Sequence, residues 1–488
     1  MLSILVCHSY FLRLDQKQIS RAKPYPPLAT LQVVSALRKA GHQVSFFDAM
    51  LATGVDEYHQ RLRHRPQLVL LYEDNFNFLS KMCLATMRRA ACDMVAAARA
   101  AGARVIAAGP DVSDAPQPYL RAGADVALTG EGLAALAELL PRLDSQPDIP
   151  NEDLVKGVPD IASLSAGKLI HAGGPAGDPR GSRLVPEVSL AAWDLVDMES
   201  YRSVWMKAHG FFSLNMAASR GCSFRCTWCA KPIWGNQYLQ REPAEVAAEI
   251  AYLKRTFKPD HIWFADDIFG FRVDWVAEFA AATRAAGAQI PFSIQTRADL
   301  ISERMAHALR DAGCQEAWIG AESGSQRVLD AMNKGTSIAQ ILTARERLKA
   351  AGIRVGFFIQ LGYSGEQLGD ILATRDLLTT AQPDEIGVSV SYPLPGTKFY
   401  DSVKSQMGIK THWQESNDLE MMFQGTYTSN FYRAVRDLLH DQVAMQLGVP
   451  SERNDHIRAK TMMNQRWQTL LQDELQHRSS ALHPAATA

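Results

Sequence analysis

The stretch Ser219-Arg-Gly-Cys222-Ser-Phe-Arg-Cys226-Thr-Trp-Cys229-Ala230 constrains this chain more than any other. It holds three of the seven cysteines, spaced C-x3-C-x2-C, just after an apolar run and next to a glycine. Three thiolates this close in sequence can curl around one metal centre, but a closed zinc or iron–sulfur site wants four. A zinc site would need a further Cys or His, and the nearest candidates are His209 and Cys314. A cubane cluster on three cysteines keeps one iron without a protein ligand, open to a small molecule.

The rest of the composition narrows the setting. At 488 residues there is room for two or three domains. Hydrophobic residues at 47% and charged ones at 21% are ordinary for a globular protein. A net charge of −1 removes the electrostatic case for nucleic acid or an anionic membrane surface. No apolar run approaches the roughly 20 residues of a membrane span. The start, MLSILVCHSYFLRLD, lacks the basic region and cleavage site of a signal peptide. An odd, scattered set of cysteines argues for a reducing compartment, so a cytoplasmic location is expected.

In chain order, residues 2–7, 43–48, 67–72, 103–108 and 126–129 read as buried strands. Helices fall between them, at 28–40 (ending before Gly41) and 84–101 (ending before Gly102). Strand–helix alternation with short turns means a doubly wound parallel sheet over residues 1–145, with ligands at the carboxyl ends of its strands. The first loop has no G-x-G-x-x-G, which argues against a dinucleotide. Residues 146–205 read as a connector, exposed around the turn-rich 173–181. Residues 206–418 repeat the strand–helix pattern six times, with strands at 211–219, 261–265, 291–296, 317–320, 355–361 and 386–391. Six units make a partial (β/α)6 barrel, and the cysteine loop follows its first strand, where such folds place their chemistry. Residues 419–488 read as a helical extension with a disordered tail from 479. Tyr427 and Tyr432 there suit either a pocket wall or a core. Cys7, Cys83, Cys92 and Cys314 read as small core residues.

The cysteine spacing resembles that of the radical S-adenosylmethionine (SAM) enzymes. Over residues 1–440 the chain is similar to their cobalamin-binding branch, which includes methyltransferases and relatives of the magnesium-protoporphyrin ester cyclase. The shared features are the Tyr25-Pro-Pro27-Leu28 turn, the Ala40-Gly-His42-x-Val44 strand entry and Gly130-Glu131-Gly132 after the fifth strand. The resemblance implies a Rossmann-like cobalamin domain, a [4Fe-4S] cluster on Cys222, Cys226 and Cys229, and SAM chelated to the open iron. It further implies that Asp266 and Asp267 accept from the SAM ammonium, that Arg297 pairs with its carboxylate, and that Glu322 and Ser323 meet the ribose or ammonium. Gly362 would let backbone approach the adenine, and Trp228 would flank it. Asn75 and Phe76 would lie near the lower face of cobalamin, with Gly130 and Glu131 also at that cofactor. The residues by themselves leave other readings: Asp267 suits a helix cap, and Arg297 can bridge to Glu322.

The D-x-H-x-x-G motif whose histidine ligates cobalt in many cobalamin proteins is absent. The resemblance therefore implies a cobalt without that lower ligand. It implies that one SAM methylates reduced cobalamin, a second gives the 5′-deoxyadenosyl radical, and the substrate radical takes the methyl at an unactivated carbon. The expected partners are a small-molecule substrate and an electron donor such as flavodoxin or ferredoxin, with no nucleic acid and no membrane. A non-methylating rearrangement, cyclisation or ring contraction, or a non-catalytic cobalamin and cluster sensor, are the other outcomes open to this sequence.

Overall fold

The computed structural model describes residues 1–74, 84–172, 190–229, 237–408, 419–448 and 453–479. The chain divides into two compact units, one of residues 1–224, 231–267 and 286–290, the other of residues 225–230, 268–285 and 291–488.

The first sheet is built from short strands with mostly apolar centres. They are β1 (Ser3–Cys7), β2 (Gln43–Phe47), β3 (Leu68–Tyr72), β4 (Arg104–Ala108) and β5 (Val126–Leu128), followed by β6 (Ile161–Ser165) and β7 (Lys168–Ala172). Their order is β2-β1-β3-β4-β5-β6-β7. The first five run parallel and the last two antiparallel. Strand β1 is near-continuously buried, as a strand covered on both faces must be. Between β1 and β3 the order of connections reverses, and that switch point is where an open parallel sheet binds ligands.

The hairpin β6–β7 corrects the reading of residues 146–205 as connector. Its turn is Ala166-Gly167, with φ of 48° and 76°. Two left-handed residues make the tight turn that suits the twist of paired strands. The turn-rich 173–181 and the tail from 480 lie outside the described residues.

The second sheet holds β8 (Ser213–Met216), β11 (His261–Phe264), β12 (Phe292–Thr296), β13 (Cys314–Glu322), β14 (Arg354–Leu361) and β15 (Glu385–Val390), in the order β15-β14-β13-β12-β11-β8. This is the parallel sheet of a partial (β/α)6 barrel, as the strand pattern predicts. The strand expected over 211–219 is two pieces, because β9 (Ser219–Gly221) leaves β8 and pairs antiparallel with β10 (Tyr238–Gln240). The C-terminal region is helical over Ser429–Leu447 and Arg453–Gln472. Tyr427 and Tyr432 are fully buried core residues of that region, with Tyr427 Oη donating to Glu474 at 2.6 Å.

Candidate cluster and cofactor site

The first half of the cysteine loop belongs to the first unit. Buried Asp266, at the end of β11, sits behind it: one carboxylate oxygen takes the Ala218 N–H at 3.0 Å and the other the Ser219 hydroxyl at 2.5 Å. Burial pushes the Asp266 carboxyl up to about 7, against those hydrogen bonds, which lower it. Asp266 is thus a strut under the bend between β8 and β9. Both of its oxygens are turned to the chain's own backbone and hydroxyl. Its neighbour Asp267 is exposed. Arg241 braces the same bend, donating to the Ala217 carbonyl at 2.9 Å and to Glu249 at 2.6 Å.

Arg220, two residues before Cys222, forms a buried ion pair with Glu131 of the Gly130-Glu131-Gly132 turn. The Tyr72 hydroxyl donates to the Glu131 carbonyl at 2.7 Å. Burial pulls the Arg220 guanidinium down to about 10, with Arg241 adding to that and Tyr72 opposing it. Glu131 therefore faces the cysteine loop. Gly130 takes a left-handed φ of 69°, and its N–H donates to Ser113 Oγ at 3.0 Å.

At the switch point, the Ser9 N–H donates to Glu73 at 2.8 Å and the Ala29 N–H to Asp74 at 3.1 Å. Gly109, with φ of 135°, has no room for a side chain: a Cβ there would lie 2.5 Å from that of Glu73. His8, just after β1, is buried and engaged by Asp48 at 2.9 Å and the Ala49 N–H at 3.0 Å. Tyr201 donates to the other Asp48 oxygen at 2.9 Å. The strand-end histidine is thus committed inside the protein, which accords with the missing D-x-H-x-x-G motif. The rim is made of the small residues Ser9, Ala29 and Gly109, where a bulky group would meet side chains, the Ser9 and Ala29 amides being taken by Glu73 and Asp74. Asn75 and Phe76, expected near the lower face of such a group, lie outside the described residues.

The second half of the loop belongs to the second unit. It is pinned by its backbone: Thr227 N–H donates to the Met332 carbonyl at 2.9 Å, and Asn333 Nδ2 to the Arg225 carbonyl at 2.7 Å. Thr227 Oγ1 meets the Tyr363 hydroxyl at 2.8 Å. Arg297 Nη1 lies 3.8 Å from Cys226 Sγ. The rest of that guanidinium is fixed by Asp299 at 2.9 and 3.0 Å, the Lys334 carbonyl at 2.6 Å and Thr336 at 3.1 Å. The Arg297–Glu322 bridge is not formed. Glu322 pairs instead with buried Lys334 at 2.7 Å. Burial works to lower the Lys334 pKa, but the Glu322 carboxylate and the Cys226 thiol outweigh it, and the net shift is upward.

Glu322 is held under strain. It follows a bulge in β13 and has a left-handed φ of 60°. Such outliers gather at functional sites, where the surrounding structure over-determines them. The Glu322–Lys334 pair occupies the space a side chain at Gly320 would need, with Oε1 and Nζ each 2.6 Å from that Cβ. Ser323 is wholly buried, accepting from the Ser325 N–H at 3.1 Å and meeting Thr374 at 3.3 Å. Gly362 has a φ of 72° and donates its N–H to Glu366 at 2.6 Å. Trp228 is half-buried, its Nε1 without a partner among the described residues. Lys334 and Asp299 were not foreseen from the sequence; a lysine in the turn Asn333-Lys-Gly335 has no local mark of function.

Of the loop's cysteines, Cys222 is buried and the other two are half-buried. Among the described residues, no three His, Cys, Asp or Glu side chains are gathered as a metal-ligand set. Cys7 and Cys314 are buried, and burial pushes both thiols up, as core residues. Cys92 is half-buried, and Cys83 lies outside the described residues.

Residues 216–378 match the Radical SAM superfamily. Over 322 residues the chain is 24% identical to an uncharacterised methyltransferase of Pyrococcus horikoshii, a match covering 65% of this chain and 66% of that protein. It spans only about half the length of the next curated relatives, at 47% and 50%. Among solved structures it is similar to the radical S-adenosylmethionine methyltransferase TsrM of Kitasatospora setae, determined with cobalamin and a [4Fe-4S] cluster bound. That match has a TM-score of 0.66 at 18% identity, over 84% of this chain and 79% of that one. It is also similar to the cobalamin-dependent S-adenosylmethionine radical enzyme OxsB, determined with aqua-cobalamin and S-adenosylmethionine bound. There the TM-score is 0.68 at 16% identity, over 97% of this chain and 72% of that one. At these identities the likeness establishes the fold of the two sheets together with their order in the chain.

Proposed function

We propose that this chain, which carries a radical SAM domain, is a cobalamin-dependent radical SAM enzyme that methylates an unactivated carbon of a small molecule. The observation that carries the reading is the pinned cysteine loop. Its Cys226 lies beside Arg297 and Lys334, and its Arg220 is tied to the turn after β5. The printed names of the relatives support methyl transfer, and the fold they share supports both cofactors. Cys222, Cys226 and Cys229 would hold the cluster. When bound, the cluster supplies an electron to the SAM sulfonium and cobalamin carries the methyl group.

The chain's own residues then have definite tasks. Asp266, Arg241 and the pinned Thr227 hold the loop in one shape, which spares reorganisation at each turnover. Arg297 keeps positive charge beside a cluster ligand. Strained Glu322 holds Lys334 in place and presents a carboxylate that suits an ammonium. Arg297 is saturated by Asp299 and by backbone, so it acts on the cysteine side more than as a clamp for a carboxylate.

The test is anaerobic reconstitution with iron, sulfide and cobalamin, then reduction with a cell extract as source of substrate and SAM labelled at its methyl carbon. Formation of 5′-deoxyadenosine and label in a carbon-methylated product support the reading. Cleavage of SAM with no label in the product would leave a radical enzyme and rule out methylation.

A further inference from the structure

Strands β12 to β15 of the second unit have two unlike faces. Phe292, Ile294, Ile319, Phe357 and Ile359 are at most 1% exposed and lie on the helix-covered side, where Phe279 meets Phe292 at 6.0 Å. The opposite face carries Gln295, Trp318, Phe358, Gln360 and Ser389. The registers Gln295 with Trp318, Phe358 with Gly387, and Gln360 with Ser389 set them on one surface.

Two features of that surface point to a ligand. The first is an aromatic shelf. Trp318 and Phe358 are half-buried and stacked, with centroids 4.8 Å apart and planes at 28°. The shelf is kept clear by glycine: a Cβ on Gly356 would lie 2.5 Å from the Trp318 ring, and one on Gly387 would lie 3.4 Å from Phe358. Trp318 Nε1 is anchored on Glu316 at 3.1 Å, which fixes the ring.

The second feature lies one step nearer the carboxyl ends. Gln360 is 5% exposed and Ser391 0% exposed, and among the described residues neither Gln360 Oε1 nor Ser391 Oγ has a hydrogen-bond partner. A buried polar group left unpaired is destabilising, and a ligand donor would recover that cost. Two such groups beyond an aromatic shelf make a built surface for a donor-bearing ring.

The charges near it are already matched. Lys334 is held by Glu322, over Gly320, and Arg297 by Asp299. Gly320 stands two residues beyond Trp318 on the same strand, about 7 Å. Arg297 in turn reaches Cys226. Among the described residues, the cations Lys334 and Arg297 are thus already paired and leave no charge over the shelf for an anionic group.

We infer that this face of β13 to β15 is the substrate subsite. It takes a flat, uncharged, unsaturated ring that lies on the Trp318–Phe358 shelf and donates an N–H or O–H to Gln360 Oε1, with Ser391 as second partner. The inference rests on the enzyme reading above and adds the class of molecule.

Indole and 1-methylindole share a ring and differ in the N–H. Titrated calorimetrically into the reconstituted full-length protein, indole binds about threefold to tenfold more tightly, the worth of one hydrogen bond. Gln360→Met, close to Gln in shape, abolishes that preference, and Phe358→Ala weakens both ligands by about tenfold. SAM affinity in the same variants stays as in the wild type. Equal or undetectable binding of the two ligands by the wild type overturns the subsite. So does retention of the preference in Gln360→Met. Loss of SAM affinity in the variants overturns it too, since these groups would then line the adenine. Failure of the wild type to cleave SAM would sink the enzyme reading and leave these titrations to decide the subsite separately.

Discussion

Glu131 and Arg220 meet as a buried ion pair, one from the turn after β5 and the other two residues ahead of Cys222. The sequence puts both in polar turns, where each would ordinarily be solvated. Within the first unit they join the carboxyl end of the first sheet to the root of the cysteine loop.

Breaking that pair leaves one charge buried and uncompensated, which costs about 3–5 kcal/mol. Arg220→Ala should therefore lower the urea midpoint strongly, and Glu131→Gln less, because an amide oxygen still accepts. The double variant Glu131→Leu/Arg220→Met should recover most of the loss, since apolar replacement of a buried pair is often neutral. A double variant no better than Arg220→Ala would argue against the pair as the source of the loss.

Asp266 gives a pH dependence with a definite sign. Its folded pKa is raised, to about 7 from 3.8, first by burial. Such a group stabilises fully below its unfolded pKa, and that contribution is lost as pH rises through the folded value. Asp266→Asn keeps an acceptor and a donor but does not titrate. The stability of the variant relative to wild type should rise between pH 4 and pH 8, read by denaturant midpoints in one buffer series. A flat difference would show that the carboxyl is not held protonated.

Gly320→Ala inserts a methyl where Glu322 Oε1 and Lys334 Nζ now lie, each 2.6 Å away. Both are the far ends of side chains, so the fold should survive and the pair should part. The expected outcome is a fall in the rate of SAM cleavage of at least about tenfold, the worth of one positioned charge pair. It is measured as 5′-deoxyadenosine per minute, beside a lowered urea midpoint, since both parted charges are buried. Wild-type cleavage would show that Glu322 need not be held against Lys334.

Much of this was legible in the sequence, and the gaps have physical reasons. The runs 2–7, 67–72 and 355–361 are mostly apolar, and strands β1, β3 and β14 form there with boundaries shifted by at most a residue. The β6–β7 hairpin was missed because its turn is Ala166-Gly167. Left-handed first positions are usually marked by Asn or Asp, and alanine carries no such mark. Asp266 was recognised as a strand-end acid, but sequence alone does not say which way a side chain turns after the last paired residue. Lys334 lies 12 residues beyond Glu322 and reaches it only because β13 and the following turn fold back on one another. The cysteine loop, by contrast, is defined by local spacing, which a sequence displays directly.

The measurement that bears most directly on the whole account is SAM cleavage by the reconstituted wild type beside Cys226→Ala. Wild type should bind iron and sulfide, show the broad visible absorption of a cluster, and release 5′-deoxyadenosine on reduction. The variant should lose both the absorption and the product. Equal cleavage by the two proteins would contradict the assignment of the cluster to Cys222, Cys226 and Cys229.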